Sequence, residues 1–299
     1  MAKRVLVTGA SGFLGSHLCS RLAAKGVKVV AFVQKKQSAP KGTVAFEGDL
    51  LDAQSLSEAA TGCNVVFHLA GQSTPRVAEE NPKADFDANV LGTLNALSAA
   101  ESAGAKAFVF TSSSFVYGNA NGKKPLAETS ECKPAKVYGL DKLAAEEHCR
   151  LFARKGKMRV AIARLFNVYG PGQKGRVVSD LIEKARAKDG KKTFEVLGNC
   201  ADWRDMLYVD DAVSALVLLA QKGKSGEAYN VASGKAVEIK ALAEMIARAA
   251  KTGKKPACAK FDMKTAFGMS ASVSKIKRLG WRPKVALGAG LTKCVEGLR

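Results

Sequence analysis

The stretch TGASGFLG at residues 8–15 decides the fold class of this chain. It follows a short apolar strand at 4–7 and opens a predicted helix. Gly9 permits a tight turn, Gly12 lets the backbone approach a pyrophosphate, and Gly15 lets the helix pack closely on the strand. Free N–H groups and the positive dipole end of the helix favour phosphate at this point. The stretch therefore predicts a dinucleotide-binding crevice.

Apolar strands and amphipathic helices alternate through the first half of the chain. Parallel strands need helical crossovers, so this alternation predicts a doubly wound parallel sheet with helices on both faces, a Rossmann-type α/β fold. The predicted strands cover 27–33, 43–47, 64–69, 106–111 and 159–165, and the longer predicted helices cover 82–103 and 137–155.

The alternation loosens after Gly170-Pro171-Gly172. The later segment holds two predicted helices and two short strand-like pieces, which indicate a smaller C-terminal α/β lobe beside the sheet. We expect an NAD(P)-binding domain over 1–170 and a mainly substrate-binding lobe over 171–299, with the chain free to cross between them. The ligand should lie in the crevice at this edge. The helices are predicted at 210–221 and 239–251, and the strands at 193–197 and 229–231.

The composition narrows the class of protein. The chain has 299 residues with 47% apolar content, and it has neither a long apolar span nor a signal-like N-terminus, so we expect a cytoplasmic protein without a membrane span.

The net charge of the chain is +20, of which +17 falls in residues 151–299. A solvated lysine-rich surface is the favoured interpretation, and a polyanionic partner such as nucleic acid or an acidic membrane is the less favoured one. Seven scattered cysteines without a CxxC pair predict free thiols rather than a disulfide framework or a zinc site.

A tyrosine and a lysine stand four residues apart in Tyr138-Gly139-Leu140-Asp141-Lys142. On a helix these two side chains share a face, and a nearby ammonium group lowers the pKa of a phenol. Tyr138 is thus a candidate acid/base. The serines after Thr111 end the fifth predicted strand, where side chains point into the crevice of a parallel sheet.

Ten ordered motifs together resemble the extended short-chain dehydrogenases/reductases, in the nucleotide-sugar epimerase/dehydratase group with its 4-epimerases. The resemblance covers essentially the whole chain. The motifs are TGASGFLG (8–15), GDL (48–50), HLAG (68–71), NVLGT (89–93), TSSSFVYG (111–118), YGLDK (138–142), RLFNVYGPGQ (164–173), DWRDMLYVDD (202–211), YNVASG (229–234) and LGWRP (279–283).

The resemblance implies a role for each matching residue, and it implies no metal. Ser113 would hydrogen-bond the reacting sugar oxygen, Tyr138 would be the general acid/base, and Lys142 would hold the nicotinamide ribose and depress the Tyr138 pKa. The implied substrate-binding residues are Ser113, Ser114, Phe115, Asn167 and Arg204. The implied cofactor-binding residues are Gly9, Ser11, Gly12, Phe13, Leu14, Gly15, Gln34, Lys35, Asp49, Leu50, Leu69, Ala70, Gly71, Asn89, Tyr138 and Lys142.

Three departures from the family pattern refine this interpretation. Val33 stands where NAD-specific relatives carry an aspartate, and lysines follow, so NADP is slightly favoured over NAD. Ser114-Phe115 replaces the Asp-Glu pair of the 4,6-dehydratases, which argues against water elimination. Asp141 replaces the serine usual before the lysine.

The favoured function is an NAD(P)-dependent nucleotide-sugar epimerase that works through a transient keto-sugar. The alternative is an NADPH-dependent reductase of a 4-keto nucleotide sugar or a related carbonyl compound. A cofactor-bound binding or sensor protein ranks third. The resemblance further implies a nucleotide-diphosphate sugar as substrate and a homodimer formed through the helices around 82–103 and 137–155.

Overall fold

A computed structural model describes residues 3–118 and 124–297 of the protein. Its strands are β1 (Arg4–Thr8), β2 (Lys28–Val33), β3 (Val44–Glu47), β4 (Val65–His68), β5 (Ala107–Ser113), β6 (Arg159–Leu165), β7 (Asn167–Tyr169), β8 (Thr193–Asn199), β9 (Trp203–Tyr208), β10 (Ala228–Val231), β11 (Ala236–Glu238), β12 (Lys255–Lys260) and β13 (Gly268–Met269). Its helices are α1 (Phe13–Ala23), α2 (Ala53–Ala60), α3 (Pro75–Glu80), α4 (Pro82–Phe86), α5 (Gly92–Ser102), α6 (Val137–Arg154), α7 (Val177–Arg186), α8 (Val209–Lys222), α9 (Ile239–Ala250), α10 (Ser274–Arg278) and α11 (Leu287–Gly297).

The main sheet has seven parallel strands in the order β10-β6-β5-β4-β1-β2-β3. The strand order reverses beside β1, which pairs with β2 on one side and with β4 on the other. A crevice forms at such a switch point, outside the carboxyl ends of the strands. The predicted Rossmann-type fold is therefore confirmed.

The strands are apolar on both faces because helices cover both. Val5 and Val7 belong to the core beneath α1 and α8, whereas Leu6 between them belongs to the core beneath α2, α5 and α6. Alternate residues of a strand point to opposite faces, so a continuous apolar run is what a doubly covered strand requires.

The predicted helix over 82–103 is present but not uniform. A π-helical turn, Asp87–Leu91, joins α4 to α5 and carries the buried Asn89. Such turns insert one residue into a helix and often occur at functional sites. The 3.6-residue period of the sequence pattern does not report a local change of this kind.

The smaller lobe is built around β9, which pairs with β7, β11 and β13, while β8 pairs with β12 in a separate two-stranded sheet. The strand expected at 229–231 does not belong to the smaller lobe. The piece at 229–231 becomes β10 and pairs with β6 at the edge of the main sheet. Its buried apolar residues extend that sheet, so the chain crosses back from the smaller lobe.

Cys200 and Cys258 form a disulfide, although the sequence pattern predicted free thiols. The two cysteines lie 58 residues apart, and the pairing of β8 with β12 brings their Cα atoms to 6.0 Å. Sequence spacing does not reveal a contact that depends on strand register. The other five cysteines are free. Within 3–118 and 124–297, no cluster of three or more His, Cys, Asp or Glu side chains is suited to a metal ion.

We expect Cys258→Ser to lower the free energy of unfolding by about 2–4 kcal/mol, because the cross-link restricts a long loop of the unfolded chain. Urea unfolding followed by circular dichroism measures this change. Cys132→Ser is the matched control, since Cys132 is a free, half-buried thiol. Equal stability of the two variants would contradict the prediction.

No helix in the described segments is both long and apolar enough to cross a membrane.

Candidate active site

A cavity of about 870 Å³ lies between the main sheet and the smaller lobe. Its wall includes the glycine-rich turn after β1, the carboxyl ends of β4 and β5, the first turns of α6, and Arg204 and Met206 from β9. The volume is within the usual range for small-molecule sites. The predicted crevice is thus formed by both parts of the chain.

The glycine-rich turn has no room for a side chain at Gly9 or at Gly15. Gly9 has a φ of +66°, and a Cβ there would lie 2.7 Å from the Ala70 backbone nitrogen. A Cβ on Gly15 would lie 2.0 Å from the Gly9 carbonyl oxygen. Helix α1 begins after Gly12 without a side-chain cap, so its first N–H groups are left for an acceptor. This end of the cavity fits the pyrophosphate of a dinucleotide.

Two glutamine side chains follow β2 in the cavity wall. The Gln37 backbone N–H donates to the Gln34 carbonyl at 3.0 Å, and this turn brings both side chains to the cavity. Lys36 in the turn has a φ of +69°, and Lys35 does not line the cavity. Val33 is buried in the sheet. Among the described residues, the end of β2 thus contributes neither a carboxylate nor a lysine to the cavity wall.

Ser113, Tyr138 and Lys142 meet at the carboxyl end of β5. All three are buried and line the cavity. Lys142 Nζ donates to the Thr111 carbonyl at 3.2 Å, and the Ser113 hydroxyl accepts the Phe115 backbone N–H at 3.2 Å. The last residues of β5 and the first two turns of α6 place these groups.

The expected lowering of the Tyr138 pKa is wrong. Burial raises the pKa of Tyr138 to about 12, and the nearby Ser113 hydroxyl only partly offsets this effect. Repulsion by Asp85 acts in the same direction as burial, whereas Arg176 acts against it. The Lys142 ammonium group lies 6.0 Å from the ring centroid and bonds a backbone carbonyl instead of the phenol.

The side chains that the resemblance assigns to substrate all line the cavity. The Phe115 ring meets the Tyr138 ring edge-on at 5.7 Å between centroids. Arg204 is held by the carbonyls of Trp203 and Phe267, at 2.9 and 3.1 Å. Arg204 Nη2 also donates to the Asp202 carboxylate at 3.4 Å, so a phosphate would share the guanidinium group with this carboxylate. The substrate-binding residues in the wall are Ser113, Ser114, Phe115, Asn167 and Arg204.

Three of the expected cofactor residues lie outside the cavity wall. Asp49 is exposed and accepts the Leu51 backbone N–H at 2.9 Å. Asn89 is fully buried behind the wall, where its Nδ2 donates to the Gln72 carbonyl at 3.2 Å. Lys35 is the third. The remaining expected residues, Gly9, Ser11, Gly12, Phe13, Leu14, Gly15, Gln34, Leu50, Leu69, Ala70, Gly71, Tyr138 and Lys142, line the cavity.

Sequence reasoning missed several polar residues of the wall. Asp85 belongs to α4, and Arg176 immediately precedes α7. The Arg176 guanidinium donates to the Ser73 carbonyl at 2.9 Å and so joins the smaller lobe to the loop after β4. Neither residue stands in a motif of known spacing. The sequence signal for Asp85 is that a carboxylate stands, unusually, on the apolar side of the predicted helix at 82–103.

Comparisons with known proteins agree with this geometry. Residues 5–232 match the "NAD dependent epimerase/dehydratase family". The chain is 36% identical to GDP-6-deoxy-D-mannose reductase of Pseudomonas aeruginosa over 83% of its own length and 80% of that protein. It is 31% identical to UDP-glucose 4-epimerase of Mycolicibacterium smegmatis, over 99% of its length and 98% of that protein.

A solved structure shows the same likeness. The UDP-glucose 4-epimerase of Thermus thermophilus, in complex with NAD, superposes with a TM-score of 0.86 at 29% identity. The match covers 99% of both chains. The resemblance drawn from the motifs is therefore confirmed, and the chain belongs to the NAD-dependent epimerase/dehydratase family.

Proposed function

We propose that this protein is a nucleotide-sugar 4-epimerase that uses NAD or NADP and works through a transient 4-keto sugar. The observation that carries the proposal is the buried group of Ser113, Tyr138 and Lys142 in the same cavity as the glycine-rich turn. The 4-epimerase of M. smegmatis, which aligns with nearly the whole chain, supports this choice.

Different residues of the cavity would bind the cofactor, transfer the proton and bind the substrate. The turn at Gly9–Gly15 and the start of α1 would bind the cofactor's pyrophosphate. A bound nicotinamide cofactor supplies the hydride acceptor and donor. Tyr138 would take the proton from the sugar hydroxyl and return it, with Ser113 holding that oxygen in reach. Arg204 would bind a phosphate of the substrate and so orient the sugar.

A one-way reductase of a 4-keto nucleotide sugar is the second candidate. The 36% identity to a GDP-6-deoxy-D-mannose reductase favours it. The neutral end of β2, with Gln34 and Gln37 in place of a carboxylate, is compatible with the 2′-phosphate of NADPH. A phenol with a raised pKa is protonated at neutral pH, which is the form that a reductase needs for donating a proton to a carbonyl.

The described residues of the site do not include the acid/base pair that water elimination requires. Ser114 and Phe115 follow Ser113, and neither carries a group that exchanges protons near neutral pH. Among the described residues of the cavity wall, Asp85 is the one carboxylate. An elimination that needs a general acid together with a general base is therefore not proposed.

The first experiment identifies the cofactor released from the denatured protein by mass spectrometry. Retained NAD, with interconversion of UDP-glucose and UDP-galactose without added cofactor, would support the epimerase. An empty protein that oxidises NADPH in the presence of a 4-keto nucleotide sugar would establish the reductase. Absence of both activities, with cofactor retained, would favour the binding or sensor protein.

We also propose a homodimer formed through α4, the π-helical turn and α6. These elements expose large apolar side chains, with Phe86 49%, Leu91 39%, Leu140 56% and Leu151 49% accessible. Leu140 and Leu151 are eleven residues apart and so share one face of α6. Burial of such side chains is the main favourable term in association.

We expect Leu140→Glu to shift the protein to a monomer, because the charge would have to be buried in the interface. Light scattering coupled to size-exclusion chromatography measures the mass in solution. Leu197→Glu is the control, since Leu197 is an exposed leucine on β8, in the smaller lobe. A wild-type protein that runs as a monomer would refute the dimer.

A cytoplasmic location remains part of the proposal. Five free cysteines are compatible with a reducing compartment, whereas the disulfide between Cys200 and Cys258 is less usual there. The distribution of an expressed, tagged protein between cell fractions tests this.

A further inference from the structure

Two buried aspartates lie on helices that pack against each other, α4 and α6. Asp85 on α4 is 1% exposed, and Asp141 on α6 is 6% exposed. Asp141 directly precedes Lys142 and follows Tyr138 by three residues, while Asp85 also reaches the cavity wall. Buried carboxyl groups are rare unless they are paired.

The aspartate pair lacks the donors that two carboxylates need. Asp85 Oδ1 accepts from Asn89 Nδ2 at 3.0 Å, but Oδ2 of Asp85 and Oδ2 of Asp141 are buried without a donor. Burial, together with a hydrogen bond to Asp85 and repulsion by it, raises the pKa of Asp141 to about 7. Two adjacent buried carboxylates cannot both ionise at low cost, whereas one proton between them satisfies both oxygens.

Lys142 gives this pair a partner of opposite charge. Burial lowers the pKa of Lys142 to about 8, and the attraction of Asp85 is the largest effect in the other direction. Glu146 also attracts it, but the Glu146 carboxylate is bound by Arg164 and Arg150 at 2.7 and 2.8 Å. One negative charge on the aspartate pair balances one ammonium group in this buried region.

The other charged or titratable groups near the aspartate pair lie on α3, α4, the π-helical turn and α6, or across the cavity. Glu79 on α3 accepts the Val137 N–H, and the Lys83–Asp87 ion pair lies on the partly exposed side of α4 and the π-helical turn. The groups on α6 and across the cavity that act on Lys142 or Tyr138 are Glu146, Cys149 and Arg176.

We propose that Asp85 and Asp141 share one proton and together serve as the counter-ion of Lys142. This rests on the proposed function, in which Lys142 holds the cofactor's ribose as an ammonium group. Asp85 and Asp141 are then positioning residues, since they act through Lys142 and not on the substrate. When the pair loses its shared proton to water in the cavity, a second negative charge appears beside Tyr138.

Carbon NMR of the ligand-free protein, labelled at the aspartate carboxyl carbons, tests the shared proton without any assay of function. We expect the wild type to show a buried carboxyl signal that titrates between about pH 6 and 8, far above an ordinary aspartate. Asp141→Asn and Asp85→Asn should each remove that titration, because an amide then donates to the remaining carboxylate. Asp87→Asn, on the adjoining turn, should leave it unchanged.

A second measurement follows Lys142 itself by its ε-carbon shift. Each single variant keeps one carboxylate and its negative charge. Asp85→Asn combined with Asp141→Asn removes both carboxyl groups and so the one negative charge of the pair, and the pKa of Lys142 should then fall by about one unit or more. The proposal is overturned if no aspartate titrates in this range, or if the double variant leaves Lys142 unchanged. A titrating pair in a protein without epimerase or reductase activity would refute only the proposed function.

Discussion

Tyr138→Phe should reduce kcat by about 10²- to 10⁴-fold, the range associated with loss of a general acid/base. The phenol is the group best placed to exchange a proton with the substrate, since it lies in the cavity wall together with Ser113. The substitution removes one hydroxyl and keeps the ring, including its edge-on contact with Phe115. Steady-state kinetics measures the loss, with UDP-glucose for the epimerase or a 4-keto nucleotide sugar and NADPH for the reductase.

Cofactor affinity separates this role from a structural one. The glycine-rich turn and Lys142 are untouched in Tyr138→Phe, so cofactor binding by fluorescence titration should stay within about threefold of wild type, less than 1 kcal/mol. Tyr169→Phe is the matched control, because it removes a buried hydroxyl that donates to the Leu287 carbonyl outside the cavity. Retained turnover in Tyr138→Phe, or equal losses in both variants, would refute the catalytic assignment.

The fold was predictable from the sequence because its signals are local. The run at 8–15 combines a strand end, a turn with a positive φ at Gly9 and a helix start within eight residues. The alternation of apolar strands and helices likewise needs only the pattern of neighbouring residues. The motif at 138–142 fixed Tyr138 and Lys142 on one helix face for the same reason.

The remaining features depend on contacts between distant parts of the chain. The disulfide between Cys200 and Cys258 requires the register of β8 against β12, and the meeting of Asp85 with Asp141 requires α4 to pack on α6. The Tyr138 pKa depends on how deeply a folded cavity buries the ring. A strand order such as β10 beside β6 is also long-range, which explains the misplaced strand at 229–231.

Glu146→Gln should lower the free energy of unfolding by about 3–5 kcal/mol, because it leaves a buried guanidinium without its charge partner. Glu146 is fully buried, and Arg164 is 3% exposed. The two form paired contacts at 2.7 and 2.8 Å, and Ser112 donates to the same carboxylate at 2.6 Å. The network ties β5 and β6 to α6 immediately beneath Ser113.

Glu147→Gln is the control. Glu147 follows Glu146 on α6 and also pairs with Arg150, but its side chain is 61% exposed. Exposed ion pairs are worth little, so this change should stay within about 1 kcal/mol. Urea unfolding compares the two variants, and similar effects would show that the buried network does not stabilise the fold.

The pH dependence of stability gives an independent check on the same carboxylate. Burial alone raises the pKa of Glu146, but the hydrogen bonds and charge of Arg164 outweigh it and hold the pKa below its usual value. A carboxyl group with a depressed pKa in the folded state stabilises the protein above its unfolded value of about 4.3. That contribution is lost as pH falls through the lower folded value, so wild type and Glu146→Gln should converge in stability under acid conditions. A difference that stays constant down to acid unfolding would mean that Glu146 contributes through packing and not through its charge.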